Sequence, residues 1–421
     1  MEIALVLIAV ATGLYMAWNI GANDVANAMG TSVGSGALTL KRAIIVAAVF
    51  EFSGAVLVGG SVSETIRKGI LDPTMFGAGT FGGNGPLILA IGMTAALLAA
   101  ALWLQLATAF GLPVSTTHSI VGAVVGFGLV SVGASGVDWP ALSKIVASWF
   151  VSPVLGGLLG FLTFMVVKRL VLDHADPIKA TIAVAPWLVG VVGFILALTT
   201  VYKGLSKVLD DPNTITVMLA SAGIGGICVI TARLLINERR IPVGGDPAAY
   251  VEKVFAFLQI VTAGFVAFAH GANDVANAVG PLATVVSIAK AGFTEVPLSI
   301  PVPTWILAVG GLGIVIGLAT WGYRVIETIG HHITELTPTR GFAAEFGAAC
   351  TVLIASVLGL PVSTTHVLVG GVIGVGLAMG MAALNFRTLR NIVASWLATV
   401  PAAGVLSALI FLGLRAIFVA G

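Results

Sequence analysis

Apolar residues fill this chain in long runs, and short polar connectors separate them. A helix needs about 20 mostly apolar residues to cross the hydrocarbon core of a bilayer. Twelve runs reach roughly that length, near residues 3–20, 43–61, 86–110, 118–137, 143–167, 181–201, 214–236, 251–270, 303–325, 342–359, 366–384 and 389–418. The pattern predicts an all-α integral membrane protein of about twelve transmembrane helices. The polar stretches DHADPIKA, KGLSKVLDDPN and INERRIPVGGDPAA, which follow the fifth, sixth and seventh runs, are too short to be soluble domains.

Composition agrees: 58% of the 421 residues are hydrophobic and only 9% charged. A net charge of +2, with no basic run, gives no reason to expect nucleic acid as a partner. Cys228 and Cys350 lie in apolar runs and form no CxxC pair, so neither a disulfide framework nor a zinc site is expected. The amino-terminal stretch MEIALVLIAVATGLYMAW has an acidic Glu2 where a signal peptide would be basic, and it is read as a retained first span. The 53 glycines, many inside apolar runs, predict close helix packing and local helix breaks.

The runs are not independent. Gly21-Ala22-Asn23-Asp24-Val25-Ala26-Asn27-Ala28 returns letter for letter as Gly271-Ala272-Asn273-Asp274-Val275-Ala276-Asn277-Ala278, 250 residues later. Pro113-Val114-Ser115-Thr116-Thr117-His118 recurs after 248 residues from Pro361 to His366, and Val146-Ala147-Ser148-Trp149 after 247 from Val393 to Trp396. Order and spacing are kept, so the chain divides into a first transmembrane repeat (1–170), two central helices with their connectors (171–250) and a second repeat (251–421). Seven crossings separate equivalent first spans. An odd number inverts the second copy, the inverted-topology plan of many secondary transporters. With the amino terminus outside, 13 of the 20 Lys and Arg residues fall in cytoplasmic loops, which favours that orientation.

Polar residues inside spans mark the chemistry. A carboxylate at a helix centre costs about 2.5–3.5 kcal/mol on insertion scales, so intramembrane acids usually face a cavity and have a role. On a helix Asn23, Asp24 and Asn27 share a face, as do Asn273, Asp274 and Asn277. Glu51 follows Arg42 by nine residues, about 14 Å at a 1.5 Å rise, and is the deepest acid by this count. Glu345 sits closer to its span's edge, and the repeat offset pairs it with Leu97 rather than with Glu51. The alternative for each acid is an interfacial or helix-capping carboxylate.

Each PVSTTH segment follows Gly-Leu, so one helix ends there and a new one begins with hydroxyls and free N–H groups. Such an end binds anions without Lys or Arg. Two of them facing one another would offer Ser115, Thr116, Thr117, Ser363, Thr364 and Thr365 as a six-hydroxyl cradle for a tetrahedral oxyanion, unless the breaks only pack. An oxyanion and carboxylates about 5 Å apart repel by about 3 kcal/mol at an effective dielectric of 20. A cation between them, sodium on hard Asp, Asn and Glu oxygens or a proton on the acids, relieves the repulsion and couples the two solutes. His118 and His366 are expected to donate to nearby carbonyls; His270, which stands where the first copy has Ile20, has a smaller claim to a transport role, and His331 and His332 fall in a loop.

In these motifs the chain resembles the inorganic phosphate transporter (PiT) family, whose signature is the duplicated GANDVANA octapeptide with PVSTTH-like segments. The resemblance covers nearly the whole chain. It implies a cation-coupled phosphate symporter with twelve spans in inverted repeats, broken or re-entrant helices at the site, and a homodimer. By that resemblance Asp24 and Asp274 look like the family's paired essential aspartates, Glu51 and Glu345 like its sodium-linked glutamates, and Ser115 and Ser363 like its paired serines. The run from Val62 to Ile70 looks more like the sodium-dependent branch than the proton-dependent one. The large hydrophilic loop of eukaryotic members is missing.

The resulting expectation is a plasma-membrane symporter of inorganic phosphate driven by sodium and working by alternating access, with no organic cofactor. Sodium would sit on Asn23, Asp24, Glu51, Asn273, Asp274 and Glu345; phosphate would sit on the six hydroxyls with Asn27 and Asn277. Proton coupling, with phosphate or a metal–phosphate complex as cargo, is the first alternative, and a passive anion channel the second. An intramembrane hydrolase is a third, against which the chain has neither HExxH nor GxSxG.

Overall fold

A computed structural model of the chain describes residues 2–60, 62–63, 70–204, 213–237, 246–297, 302–326, 336–380 and 385–419. Residues 64–69 of the run that suggested the sodium branch, most of two central connectors, and His331 and His332 lie outside the described residues. The described residues are nearly all helical and contain no sheet. In chain order the helices are α1 (Glu2–Gly34), α2 (Leu40–Val58), α3 (Gly85–Ala109), α4 (Thr116–Ser131), α5 (Trp139–Val167), α6 (Pro177–Thr199), α7 (Thr214–Leu235), α8 (Pro247–Lys290), α9 (Thr304–Trp321), α10 (Pro338–Val357), α11 (Thr364–Met379) and α12 (Phe386–Phe418).

Polar starts delimit many of these helices. Asp138, Asp176, Asn213, Asp246 and Asn385 accept hydrogen bonds from the first-turn amides of α5, α6, α7, α8 and α12, satisfying donors that an uncapped helix leaves bare. Proline within the first two positions of α5, α6 and α8 loses no helical hydrogen bond there.

Among the described residues, nine helices are long and apolar enough to cross a membrane, and this is a multi-pass membrane protein. The expected spans at 118–137 and 366–384 differ: α4 and α11 hold 16 residues each, about 24 Å at 1.5 Å per residue, short of a core about 30 Å thick. Helix α2 carries Lys41, Arg42 and Glu51 within 19 residues and is not among the nine. The octapeptides depart in the opposite sense. They do not follow the ends of spans 3–20 and 251–270; they lie inside uninterrupted helices of 33 and 44 residues. Small Gly and Ala residues continue the helix through the polar letters, and neighbouring helices cover them.

Close glycine crossings build the centre. A Cβ on Gly21 would lie 1.9 Å from the Ile314 carbonyl oxygen, and one on Gly317 1.9 Å from that of Trp18, so α1 and α9 touch backbone to backbone. The equivalent crossing of α2 with α8 uses Gly54 against Phe268 and Gly271 against Glu51, with 2.0 Å in both cases. The first residue of each octapeptide is thus glycine because another helix occupies the space of its side chain. Two bundles flank this centre: α1, α3, α4 and α12 pack together, as do α5, α8, α10 and α11. Each bundle therefore takes one member from the other half of the sequence, α12 in the first and α5 in the second.

Candidate functional site

The octapeptides bring their polar faces together where α1 meets α8. Asp24 and Asp274 are fully buried, and between them stands the equally buried His270. His270 Nε2 lies 3.2 Å from Asp274 Oδ2 and 3.6 Å from Asp24 Oδ2, while its Nδ1 lies 3.3 Å from Glu51 Oε1. One imidazole thus bridges three carboxylates supplied by α1, α2 and α8. Local sequence marks this histidine only weakly. Its i, i+4 relation to Asp274 was visible, but that α2 would carry Glu51 to its other nitrogen was not.

Asn23 and Asn273 do different work. Asn23 donates from Nδ2 to Thr108 Oγ1 (2.8 Å) and to the Leu112 carbonyl (3.1 Å), and its Oδ1 accepts from the Val114 amide. Asn273 donates to Ser356 Oγ (3.1 Å) and to the Leu360 carbonyl (3.2 Å). Each asparagine therefore pins the backbone immediately before the hydroxyl motif of its own half, holding open a helix break whose polar groups would otherwise go unpaired.

Beyond the breaks, α4 and α11 begin as the motif predicts. Ser115 accepts from the His118 amide and Ser363 from the His366 amide, so both serines are N-caps. The threonines reach across to the opposite octapeptide. Asn27 Nδ2 donates to Thr365 Oγ1 at 2.9 Å and to Thr364 Oγ1 at 3.4 Å, and Asn277 Nδ2 donates to both Thr116 and Thr117 at 3.2 Å. Thr364 and Thr116 donate to Asp274 Oδ2 at 2.9 and 3.3 Å, and Thr365 to Asp24 Oδ1 at 3.4 Å. The four threonines, both aspartates, Asn27 and Asn277 thus form one buried, hydrogen-bonded constellation, with the two serines buried at the caps of the same helix starts.

Glu345 lies elsewhere. Thr31 and Ser32 donate to its Oε1 at 2.5 and 2.6 Å, Gln259 Nε2 donates to the same oxygen at 3.2 Å, and Thr262 donates to Oε2 at 2.6 Å. This carboxylate is fully buried, although counting along the chain put it near a span's edge. Polar side chains of α1 and α8 surround it there, and no local pattern along the chain signals that they converge. The repeat offset places Pro281, Leu282, Ala9 and Leu97 at the positions of Thr31, Ser32, Gln259 and Glu345. Among the described residues this second polar nest, built from both halves, therefore has no repeat counterpart.

The oxygens suit a hard cation. Asp24 Oδ2, Asp274 Oδ1, both oxygens of Glu51, and the side-chain carbonyls of Asn273 and Asn277 are buried without a hydrogen bond, Asp24 Oδ2 and Glu51 Oε1 having only the His270 ring beside them. Buried acceptors left this way are costly, and a sodium ion or protons would satisfy them. Carboxylate, amide and hydroxyl oxygens are the ligand type for such ions. Asp24, His270 and Asp274 each offer a ligand atom within 4.8 Å of the others.

Comparison with known proteins agrees with this chemistry. A model of the phosphate transporter family matches residues 20–407. A protein named a phosphate permease in Thermococcus kodakarensis is 48% identical over 405 residues, 96% of each chain. The chloroplastic inorganic phosphate transporter 2-1 of Arabidopsis thaliana is 47% identical over 418 residues, covering 94% of this chain and 70% of that one. A solved structure described as the sodium-dependent phosphate transporter superposes with a TM-score of 0.91 at 42% identity, covering 99% of this chain and 100% of the other. These relatives are transporters and permeases rather than enzymes. With a family model running through both octapeptides and both hydroxyl motifs, this chain belongs to the phosphate transporter family.

Proposed function

We propose that the protein is a sodium-coupled symporter of inorganic phosphate working by alternating access. The observation that carries this reading is the meeting of two helix starts, α4 and α11, against two buried aspartates. Their amides and hydroxyls suit a tetrahedral oxyanion, while Asp24, Asp274 and Glu51 repel it until cations bind. Phosphate takes Ser115, Thr116, Thr117, Ser363, Thr364 and Thr365 with Asn27 and Asn277, and sodium takes Asp24, Asp274 and Glu51. Asn23 and Asn273 contribute carbonyl oxygens while fixing the breaks. Glu345 serves a further sodium ion in its own nest. The 42% identity to a solved structure described as sodium-dependent supports sodium over other cations.

Each Asn–Thr hydrogen bond joins the two bundles, so phosphate entering the cradle replaces bonds across the seam. Moving one bundle against the other then exposes the site to alternate sides. We place the protein in the plasma membrane as a homodimer, with twelve crossings in two inverted repeats (1–170 and 251–421, around 171–250) and its amino terminus outside. A second reading is proton coupling; His270 favours it, because an imidazole among three carboxylates is a natural proton carrier.

Radiolabelled phosphate uptake into proteoliposomes separates these readings. Accumulation driven by an inward sodium gradient is expected. Accumulation driven only by a proton gradient would make the acids proton carriers, and equilibration without accumulation would make the protein a channel. Asp24→Asn and Asp274→Asn should each abolish coupled uptake in folded protein; full uptake by either would remove the aspartates from the cation site.

A further inference from the structure

Two duplicated features remain outside this account: the histidine that ends each hydroxyl motif and the tryptophan of each Val-Ala-Ser-Trp motif. In the fold they form one object. The Trp149 ring lies 3.8 Å, centroid to centroid, from that of His118; His118 lies 4.4 Å from His366; and His366 lies 3.6 Å from Trp396. The outer contacts are face to face, tilted by 36° and 26°, while the two imidazoles meet edge to face at 78°. The rings come in turn from α5, α4, α11 and α12. Since α4 and α12 belong to one bundle and α5 and α11 to the other, the stack alternates across the seam.

We infer that Trp149 and Trp396 are positioning residues for the anion: by clamping the His118–His366 pair they hold the two hydroxyl-bearing helix starts at the separation phosphate requires. His118 and His366 each follow their hydroxyl triplet directly and sit in the first turn capped by Ser115 or Ser363. Displacing either ring therefore displaces the triplet. Hydrogen bonding holds these rings only in part: both nitrogens of His118 and Nε2 of His366 are buried without a partner, and the His366 ring has a single hydrogen bond, to the backbone of Trp149; the flat faces of the indoles hold the rest. Trp149 does more than stack. Its Nε1 donates to the carbonyl of Pro361, the first residue of the second motif, at 3.2 Å. Trp149 thus touches the first motif's histidine with its face and the second motif's leading residue with its edge. Trp396 makes no such bond, its Nε1 being buried without a partner, so Trp149 should matter more.

This inference rests on the phosphate reading, and the wild-type arm of the experiment tests that reading separately. Uptake is measured in proteoliposomes at saturating sodium over a range of phosphate concentrations. If the wild-type protein transports no phosphate, the functional reading fails before any variant is considered. If it does, Trp149→Ala should raise the half-saturating phosphate concentration by about tenfold, the size of one lost stack and one lost hydrogen bond together, with the maximal rate held. Trp396→Ala should raise it less, and Trp149→Phe, which keeps an aromatic face, should lie nearer to wild type. An unchanged half-saturation in Trp149→Ala would overturn the inference. So would a fall in maximal rate alone, which would assign the stack to the bundle motion instead. Should the alanine variant not fold, Trp149→Phe against Trp149→Leu decides. A Phe variant that binds phosphate better than the Leu variant supports the clamp, and equal affinities overturn it.

Discussion

His270 Nδ1 stands 3.3 Å from Glu51 Oε1, with both side chains fully buried. The contact crosses from α8 to α2 where Gly271 lets the Glu51 backbone approach, so the tight crossing and the ionisable pair are one feature. It ties a residue that only the second half possesses to an acid that only the first half possesses at that position.

Removing the imidazole should expose that dependence. His270→Ala leaves Asp24, Asp274 and Glu51 together without their shared partner, and breaking a buried pair costs about 3–5 kcal/mol. Thermal unfolding in detergent should show a large loss of stability at low sodium that added sodium partly restores, more than it stabilises wild type. A loss that sodium leaves unchanged would argue that the cation binds away from this cluster.

The capping serines should show a graded effect. Ser115→Ala and Ser363→Ala each remove an N-cap, typically worth about 1 kcal/mol, and also a hydroxyl of the cradle. Each should weaken phosphate affinity several-fold, and the double variant should do so more strongly. Ser115→Asp keeps the cap but adds an anion, so it should bind phosphate worse than Ser115→Ala. If both double-alanine affinity and the Asp variant match wild type, the helix breaks only pack.

Glu345 should separate from the phosphate site. Glu345→Gln keeps the shape and removes the charge that four donors surround. Its expected signature is an altered dependence of uptake on sodium with little change in phosphate half-saturation. A change in phosphate affinity as large as that of Asp274→Asn would merge the two sites.

The crossing glycines give a test of the fold. Gly271→Ala places a methyl carbon 2.0 Å from the Glu51 carbonyl oxygen, a clash with backbone that no side-chain rotation relieves. Folded protein should be lost or sharply reduced on size-exclusion chromatography. Gly223→Ala in α7 meets nothing within 4 Å and should be neutral or stabilising by about 0.5–1 kcal/mol. Equal yields from the two variants would contradict the close crossing.

The amino-acid sequence alone determined the membrane class, the duplication and the identity of the chemistry-bearing letters, because each leaves a local mark. Apolar runs report burial in lipid, two identical octapeptides report a repeated environment, and Ser-Thr-Thr after Gly-Leu-Pro-Val reports a helix start. The N-caps at Ser115 and Ser363 were legible for that reason. Only the tertiary structure decided what faces what. It ran α1 and α8 through the octapeptides, where hydropathy ended the spans at residues 20 and 270, since a helix continues wherever neighbours satisfy its polar side chains. It also set Asn27 against Thr365 and Asn277 against Thr117, put His270 among three acids, and enclosed Glu345 with Thr31, Ser32, Gln259 and Thr262. Apart from His270 with Asp274, four residues on, these contacts link residues tens to hundreds of positions apart, and pairings of that kind are set by how helices cross rather than by periodicity along any one of them.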